Sequence, residues 1–211
     1  MNISAIRKEY SLKTLDIKDL SKNPIEQFNL WFQEALVAKV IEINAMTLST
    51  IGLDGIPNGR IVLLKEVDTG FVFFTNYESQ KGKELAQTPF ASLTFFWPEL
   101  ERQVRIRGKI EQVSTKLSDE YFFSRPLGSQ IGAWTSPQSQ KINSREELEE
   151  RLQVFENKFK DTPITRPRHW GGYRLNPNHV EFWQGRPSRL HDRIAYEKID
   201  NGGWELSILA P

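Results

Sequence analysis

The chain has 211 residues, the length of one domain with a full core, and its 28 Lys and Arg nearly cancel 27 Asp and Glu, leaving a formal charge of +1. That balance supplies no global field for a polyanion such as a nucleic acid, so any anion site has to be local. Cysteine is absent, which excludes disulfides, thiolate nucleophiles and thiolate metal sites; with no apolar signal core at the start and no run near the roughly 20 apolar residues of a membrane helix, a cytoplasmic location is expected.

The segment Arg7-Lys8-Glu9-Tyr10 precedes any periodic pattern and reads as a loose terminus. Asn23-Pro24 then offers a cap and a first-turn proline, and Ile25, Phe28, Phe32, Leu36 and Val40 follow at helical spacing. From Ala45 the period becomes two. Met46 to Ile51, Arg60 to Lys65 and Phe71 to Thr75 read as strands, separated by the turn-rich Asp54 to Gly59 and by Asp68-Thr69-Gly70, and short connections of this kind predict an antiparallel meander.

Ser79 to Gln87 reads as a helix carrying Lys81 and Lys83, and Ala91 to Trp97 as a strand. Arg102 to Val113 has the cleanest alternation: Val104, Ile106 and Ile110 on one face, Gln103, Arg105, Arg107 and Lys109 on the other. Thr115 to Arg125 is a helix ended by Pro126, Ser129 to Ser139 a loop or short helix around Trp134, and the capping box at Ser144 to Glu147 opens a helix with Leu148, Leu152, Phe155 and Phe159 on one stripe. Pro163 and Pro167 mark a linker into Gly171-Gly172-Tyr173-Arg174. A strand then runs from His179 to Trp183, followed by Ile194 to Ile199, the turn Asn201-Gly202-Gly203, and Trp204 to Leu209. Seven or eight strands without beta-alpha-beta alternation predict a closed antiparallel barrel with helices outside.

Between the last strands Gly185 and Pro187 break the pattern, and Arg189, His191 and Arg193 follow at alternate positions. An extended backbone there would place those three heads on one side, where two guanidiniums and an imidazole would face an anion; a solvated edge strand with a chance Arg-x-His-x-Arg explains the run equally well. Metal chemistry finds no support, since His169, His179 and His191 are scattered, and neither a G-x-S-x-G elbow nor a glycine-rich phosphate loop occurs. What remains is a set of cations and hydroxyls at strand ends and loops, including Arg60, Lys65, Thr75, Lys81, Arg125, Ser129, Ser139, Arg189 and Arg193, each by itself an ordinary surface residue.

Their context is more specific. Arg60-Ile61-Val62-Leu63-Leu64-Lys65 resembles the R-x-V-L-L-K strand of the pyridoxamine 5'-phosphate oxidases, FMN enzymes of the split-barrel class. Phe73-Phe74-Thr75-Asn76, Glu101-Arg102-Gln103-Val104-Arg105, Ser124-Arg125-Pro126, Ser129 to Trp134, Gln138-Ser139, Glu181 to Gly185 and Arg189-Leu190-His191-Asp192-Arg193 match in the same order, from about residue 7 to 211.

The resemblance implies a mainly β fold, an antiparallel Greek-key split barrel with peripheral helices, with residues 1–22 as a lid and 23–211 as the FMN-binding domain ending in dimerisation strands. It implies FMN contacts from Arg60, Ile61, Val62, Leu63, Leu64, Lys65, Phe74, Thr75, Gln80, Lys81, Gln103, Gln138, Ser139, Trp183 and Arg193. Substrate contacts would come from Lys65, Tyr121, Arg125 and Ser129 around a phosphate, from Arg189, Leu190 and His191 at the ring, and from Arg7, Lys8, Glu9 and Tyr10 closing over it, with Arg189, His191 and Tyr10 nearest the chemistry. The implied activity is oxidation of pyridoxamine or pyridoxine 5'-phosphate to pyridoxal 5'-phosphate by dioxygen, in a homodimer with FMN at its interface, with no metal, nucleic acid or membrane. Six Trp and 13 Phe, more than one small barrel hides readily, fit a dimer. Two departures stand out: Gln80 replaces a common arginine, from which weaker FMN retention is expected, and Glu42-Ile43-Asn44 lacks the usual proline. Rival readings are another split-barrel flavoprotein without a second phosphate site, and a flavin-free binder of pyridoxal phosphate or single-stranded nucleic acid.

Overall fold

The computed structural model describes residues 2–200 and 202–211. Helix α1 (Pro24–Val37) starts where the Asn23 side chain accepts a hydrogen bond from the Ile25 N–H and proline fills the first turn. Its buried residues are Pro24, Gln27, Phe28, Trp31 and Ala35, while Leu36 is exposed. The expected stripe holds in part: Phe28 and Val40 are core and Ile25 and Phe32 pack against it, but Leu36 faces out and Trp31 and Ala35 are buried instead, because the core selects the wide aromatic face that Phe28 and Trp31 share. Phe28 meets Phe71 and Phe95 at centroid distances of 4.9 and 5.1 Å, and Trp31 meets Phe182 at 5.0 Å.

Strands β1 (Ala45–Ile51) and β2 (Pro57–Leu63) form a hairpin, β3 (Glu66–Val67) pairs with β4 (Phe71–Asn76), and helix α2 (Gln80–Gln87) leads to β5 (Phe90–Trp97) and β6 (Arg102–Gln112). Helices α3 (Thr115–Ser124), α4 (Leu127–Thr135) and α5 (Arg145–Lys158) precede β7 (Trp170–Gln184), β8 (Asp192–Lys198) and β9 (Trp204–Ile208). The sheet runs β2-β1-β5-β6-β7-β4-β3, with β8 and β9 added beyond β7. The predicted meander is thus wrong: β1 turns from β2 to β5, and β4 crosses to β7. Short loops license a hairpin but do not choose the far partner. The sheet curls without a ladder from β2 to β4 among the described residues, so the barrel is split where a closed one was expected.

The linker read at Pro163 and Pro167 carries neither helix nor strand, and the Gly171 to Arg174 run it leads into is already strand. β7 is a single 15-residue element whose one edge pairs β6, and whose other edge pairs first β4 and then β8. Pro177 has no N–H to donate, and the ladder shifts register between Arg107 and Gly108 opposite it. Only glycine fits there, since a Cβ on Gly108 would come 2.0 Å from the Asn176 carbonyl oxygen. Of the C-terminal turn expected at Asn201-Gly202-Gly203, Asn201 lies outside the described residues; β8 and β9 on either side pair antiparallel. No helix among the described residues is long and apolar enough to cross a membrane.

One polar cluster braces this frame. The Glu84 carboxylate, fully buried on α2, accepts from Thr50 Oγ1 (2.5 Å), Asn58 Nδ2 (2.9 Å) and Arg60 Nη2 (2.9 Å), tying the helix to both strands of the β1–β2 hairpin. Burial pushes the Glu84 carboxyl up, but these donors outweigh it and leave it below the ordinary value of 4.5. Glu84→Ala strands the Arg60 guanidinium and should cost about 3 kcal/mol of unfolding free energy by urea denaturation at neutral pH. Because a depressed carboxyl stabilises above its unfolded value and loses that contribution as pH falls through the folded one, the gap between wild type and variant should narrow below pH 4.5.

Candidate active site

A cleft of about 440 Å³ opens between β2, β4 and the helices α3 and α4. Alternation along β2 turns Ile61 and Leu63 outward, and both line it with Val62 and Lys65. Its aromatic wall is a stack: Phe74 lies 4.0 Å from Tyr121 at 22° and 5.6 Å from Trp170 at 14°. Glycine at 172 makes room for it, since a Cβ there would meet the Phe74 ring at 2.7 Å.

Three cations enter this cleft. Arg125 stands where Pro126 stops α3, in extended backbone with its guanidinium 4.6 Å from the Trp170 ring, and its Nη1 is buried with no hydrogen-bond partner. Burial lowers its pKa. Lys81, in the first turn of α2 and 9% exposed, donates only to neutral oxygens, Thr75 Oγ1 at 3.3 Å and Gln138 Oε1 at 3.5 Å; burial and then the Arg60 charge lower its pKa. The Lys65 ammonium lies 5.9 Å from the Tyr121 ring. Ser129 and Gln138 complete the polar lining, and no carboxylate is among the lining residues. Helix α4 begins beside Arg125 with no side-chain cap, so its N-terminal dipole adds positive potential. Buried cations without counter-ions are costly. The donor set therefore fits phosphate groups, and the flat aromatic wall fits the ring system of a flavin nucleotide.

A second cleft of about 450 Å³ is lined by Arg7, Lys8, Glu9, Tyr10, Arg186, Ser188, Arg189 and His191, none of which lines the first. The expected alternation of Arg189, His191 and Arg193 fails here. Pro187–Arg189 forms a 3-10 turn with Ser188 and Arg189 in the left-handed region (φ 56° and 63°), so the period of two does not start until β8. Arg193 instead donates to both carboxylate oxygens of Glu181, at 2.9 and 3.2 Å. His191 keeps to the cleft, its ring 4.6 Å from Trp183 and 6.1 Å from Tyr10. Its Nδ1 accepts the Arg186 N–H at 3.1 Å, which assigns the proton of the neutral ring to Nε2. Burial, followed by the Arg189 charge, holds its pKa below 6.5.

The remaining sequence-expected contacts are not among the lining residues of either cleft. Arg60 is bound to Glu84, Leu64 is core, Gln80 lines a separate hollow with Asn58 and Glu84, and Gln103 sits opposite Trp183 on the β6–β7 ladder. Ser139 has a left-handed φ of 70° and Leu190 is exposed. Sequence reasoning passed over Trp170, Asn76 and Ser136, all of which line the first cleft. An aromatic residue directly before Gly171-Gly172 was the available signal for Trp170. Among the described residues no group of three His, Asp or Glu gathers as metal ligands.

Comparison with known proteins agrees with this geometry. Residues 32–158 match the family model described as pyridoxamine 5'-phosphate oxidase, and residues 170–211 match the pyridoxine 5'-phosphate oxidase C-terminal dimerisation region. The pyridoxine/pyridoxamine 5'-phosphate oxidase of Paraburkholderia phytofirmans is 56% identical over 100% of this chain and 99% of its own length, and that of a Cyanothece species is 53% identical over the same shares. Among solved structures, PhzG from Burkholderia lata 383 in complex with tetrahydrophenazine-1-carboxylic acid superposes with a TM-score of 0.88 at 31% identity, covering 95% of this chain and 100% of that one. A pyridoxamine 5'-phosphate oxidase-related FMN binding protein from Nostoc punctiforme shares the fold, with a TM-score of 0.72 at 17% identity over 91% of this chain and 100% of its own. With both family models matched in order and relatives more than half identical end to end, the chain belongs to the pyridoxine/pyridoxamine 5'-phosphate oxidases, a family of FMN-dependent oxidoreductases.

Proposed function

We propose that the protein binds FMN and oxidises pyridoxamine 5'-phosphate and pyridoxine 5'-phosphate to pyridoxal 5'-phosphate, with dioxygen as acceptor and hydrogen peroxide as product, the amine substrate also taking up water and releasing ammonia. The observation that carries this reading is the first cleft: three cations, one with a buried unpartnered nitrogen, and no carboxylate lining it. A split-barrel flavoprotein acting on an uncharged substrate has no use for so many. The names of the relatives at 53–56% identity point the same way.

FMN, held by the cations and aromatic wall of the first cleft, would supply the two-electron oxidation of the substrate's 4' carbon, with dioxygen as the final acceptor. The chain's own residues do the rest. Lys81, with Thr75 and Gln138, receives one phosphate; Lys65, Arg125, Tyr121 and Ser129 receive the other. Arg189 and the Nε2–H of His191 orient the substrate ring, and Tyr10 covers it and excludes water.

One chain is incomplete for this task. Trp170 lines the first cleft and Trp183 borders the second, and both sit on β7. Thirteen residue steps separate them, about 40 Å of contour, well beyond one nucleotide and one substrate in contact. We infer that the first cleft of one copy is completed by the second cleft of another in a homodimer, a reading supported by the match of residues 170–211 to a dimerisation region.

Adding pyridoxamine 5'-phosphate to the purified protein without oxygen should bleach its flavin absorbance; an unchanged spectrum would sink the assignment. Arg125→Ala and Arg189→Ala should each be nearly inactive as homodimers, yet unfolding and refolding them together should restore activity, since half-mutant pairs hold one intact composite site. No recovery on mixing would place both residues in a site within one chain. The pH profile of kcat/KM should show an acid limb below 6.5, because protonating Nδ1 of His191 breaks its bond to the Arg186 N–H, and Arg189→Gln should move that limb upward by removing a repelling charge.

A further inference from the structure

Glu101 lies in the turn between β5 and β6, 2% exposed, and neither cleft includes it. Its backbone is left-handed, φ 54°, which a residue with a Cβ rarely adopts without being held there. The hold is visible: its carbonyl oxygen accepts from the Gly185 N–H at 2.7 Å and from Gln184 Nε2 at 3.3 Å. That fixes the residue on the end of β7 and leaves its side chain directed at the N-terminal segment. Oε2 accepts the N–H groups of Ser11 at 2.8 Å and Leu12 at 3.0 Å, and Oε1 lies 3.7 Å from the Lys8 ammonium.

The residue bracketed by these contacts is Tyr10. Its other side rests on Gly185, where a Cβ would come 2.7 Å from Tyr10 Cβ and Cγ. Gripped between a buried carboxylate and a glycine, the tyrosine ring stands edge-on to Trp183 at 5.8 Å and tilted over His191 at 6.1 Å. The segment has other anchors, among them Leu15 N–H to Asp192 Oδ2, Ser188 N–H to Glu9 Oε1 and Lys13 to Glu34, but among the described residues only Glu101 binds the two peptide groups that directly follow Tyr10. A carboxylate that accepts two backbone N–H groups makes charge-assisted bonds stronger than neutral ones, and these depend little on which side chains the segment carries.

We propose that Glu101 is a positioning residue for the reaction: by gripping the peptide groups of Ser11 and Leu12 from beneath the β5–β6 turn it sets Tyr10 over His191 and Trp183, so that the segment closes the site in one register. The inference rests on the proposed function in that it takes the second cleft to face the substrate. Glu101 lines neither cleft; of the second cleft's lining it meets Lys8, whose ammonium is mostly exposed, and its two short bonds go to the peptide groups that follow Tyr10.

The test uses the FMN-loaded enzyme and four variants, Glu101→Ala, Glu101→Gln, Tyr10→Ala and the double Glu101→Ala with Tyr10→Ala. Glu101→Ala should lower kcat/KM for pyridoxine 5'-phosphate about tenfold or more while FMN content stays at the wild-type level. Glu101→Gln, which keeps one oxygen acceptor, should recover part of the loss. The double variant should be no worse than Tyr10→Ala, since the effect of Glu101 passes through the tyrosine; losses that multiply would overturn the proposal. Trypsin should cut after Lys8 and Lys13 faster in Glu101→Ala than in wild type, and equal cleavage rates would refute the grip whatever the enzyme turns over. A wild-type protein that cleaves slowly but never oxidises the substrate would instead count against the proposed function alone.

Discussion

The two edges of β7 decide where everything else stands. One edge is hydrogen-bonded to β6 from Tyr173 to Gln184; the other serves β4 over its first half and β8 over its second. A strand shared in this way is pinned along its whole length, so Trp170 at its start and Trp183 near its end are carried by one rigid member. The cation-lined cleft belongs to the first half, the histidine cleft to the second. Their separation along the chain is a consequence of strand rise.

Charge is sorted on this frame by pairing. Arg60, Arg174 and Arg193 are each closed against a carboxylate, of Glu84, Asp68 and Glu181. Such pairs hold elements together and have little capacity left for a ligand. Lys65, Lys81 and Arg125 have no such partner among the described residues, and burial already depresses the pKa of Lys81 and Arg125. Free energy stored as uncompensated positive charge is released when an anion arrives, so a protein of near-zero net charge can still offer a local site for one. Glu101 follows the opposite rule: its charge is spent on backbone N–H groups, and what it secures is the place of a neighbouring tyrosine.

Much of the local structure was legible in the order of residues. The Asn23-Pro24 start of α1, the alternation of β6, the proline stop after Arg125 and the cap at Ser144 all depend on neighbours within a few positions, and all stand as read. The errors share a different cause. The meander and the closed barrel were statements about which edge meets which, and nothing in a run of alternating side chains names its partner. The Arg-x-His-x-Arg alternation failed because Ser188 and Arg189 turn left-handed, a conformation that neither residue type announces.

The sequence by itself determined the period of each strand and helix, the cations available to an anion site, and, through motif order, the family. Those are properties of short range or of composition, which a linear chain carries openly. Only the tertiary structure decided which cations are paired with internal carboxylates and which are not, and that the two clefts stand toward opposite ends of one strand. Ion pairing depends on distances of a few ångströms between residues as remote as Arg60 and Glu84, or Ser11 and Glu101, and such distances exist only after the sheet has closed its ladders.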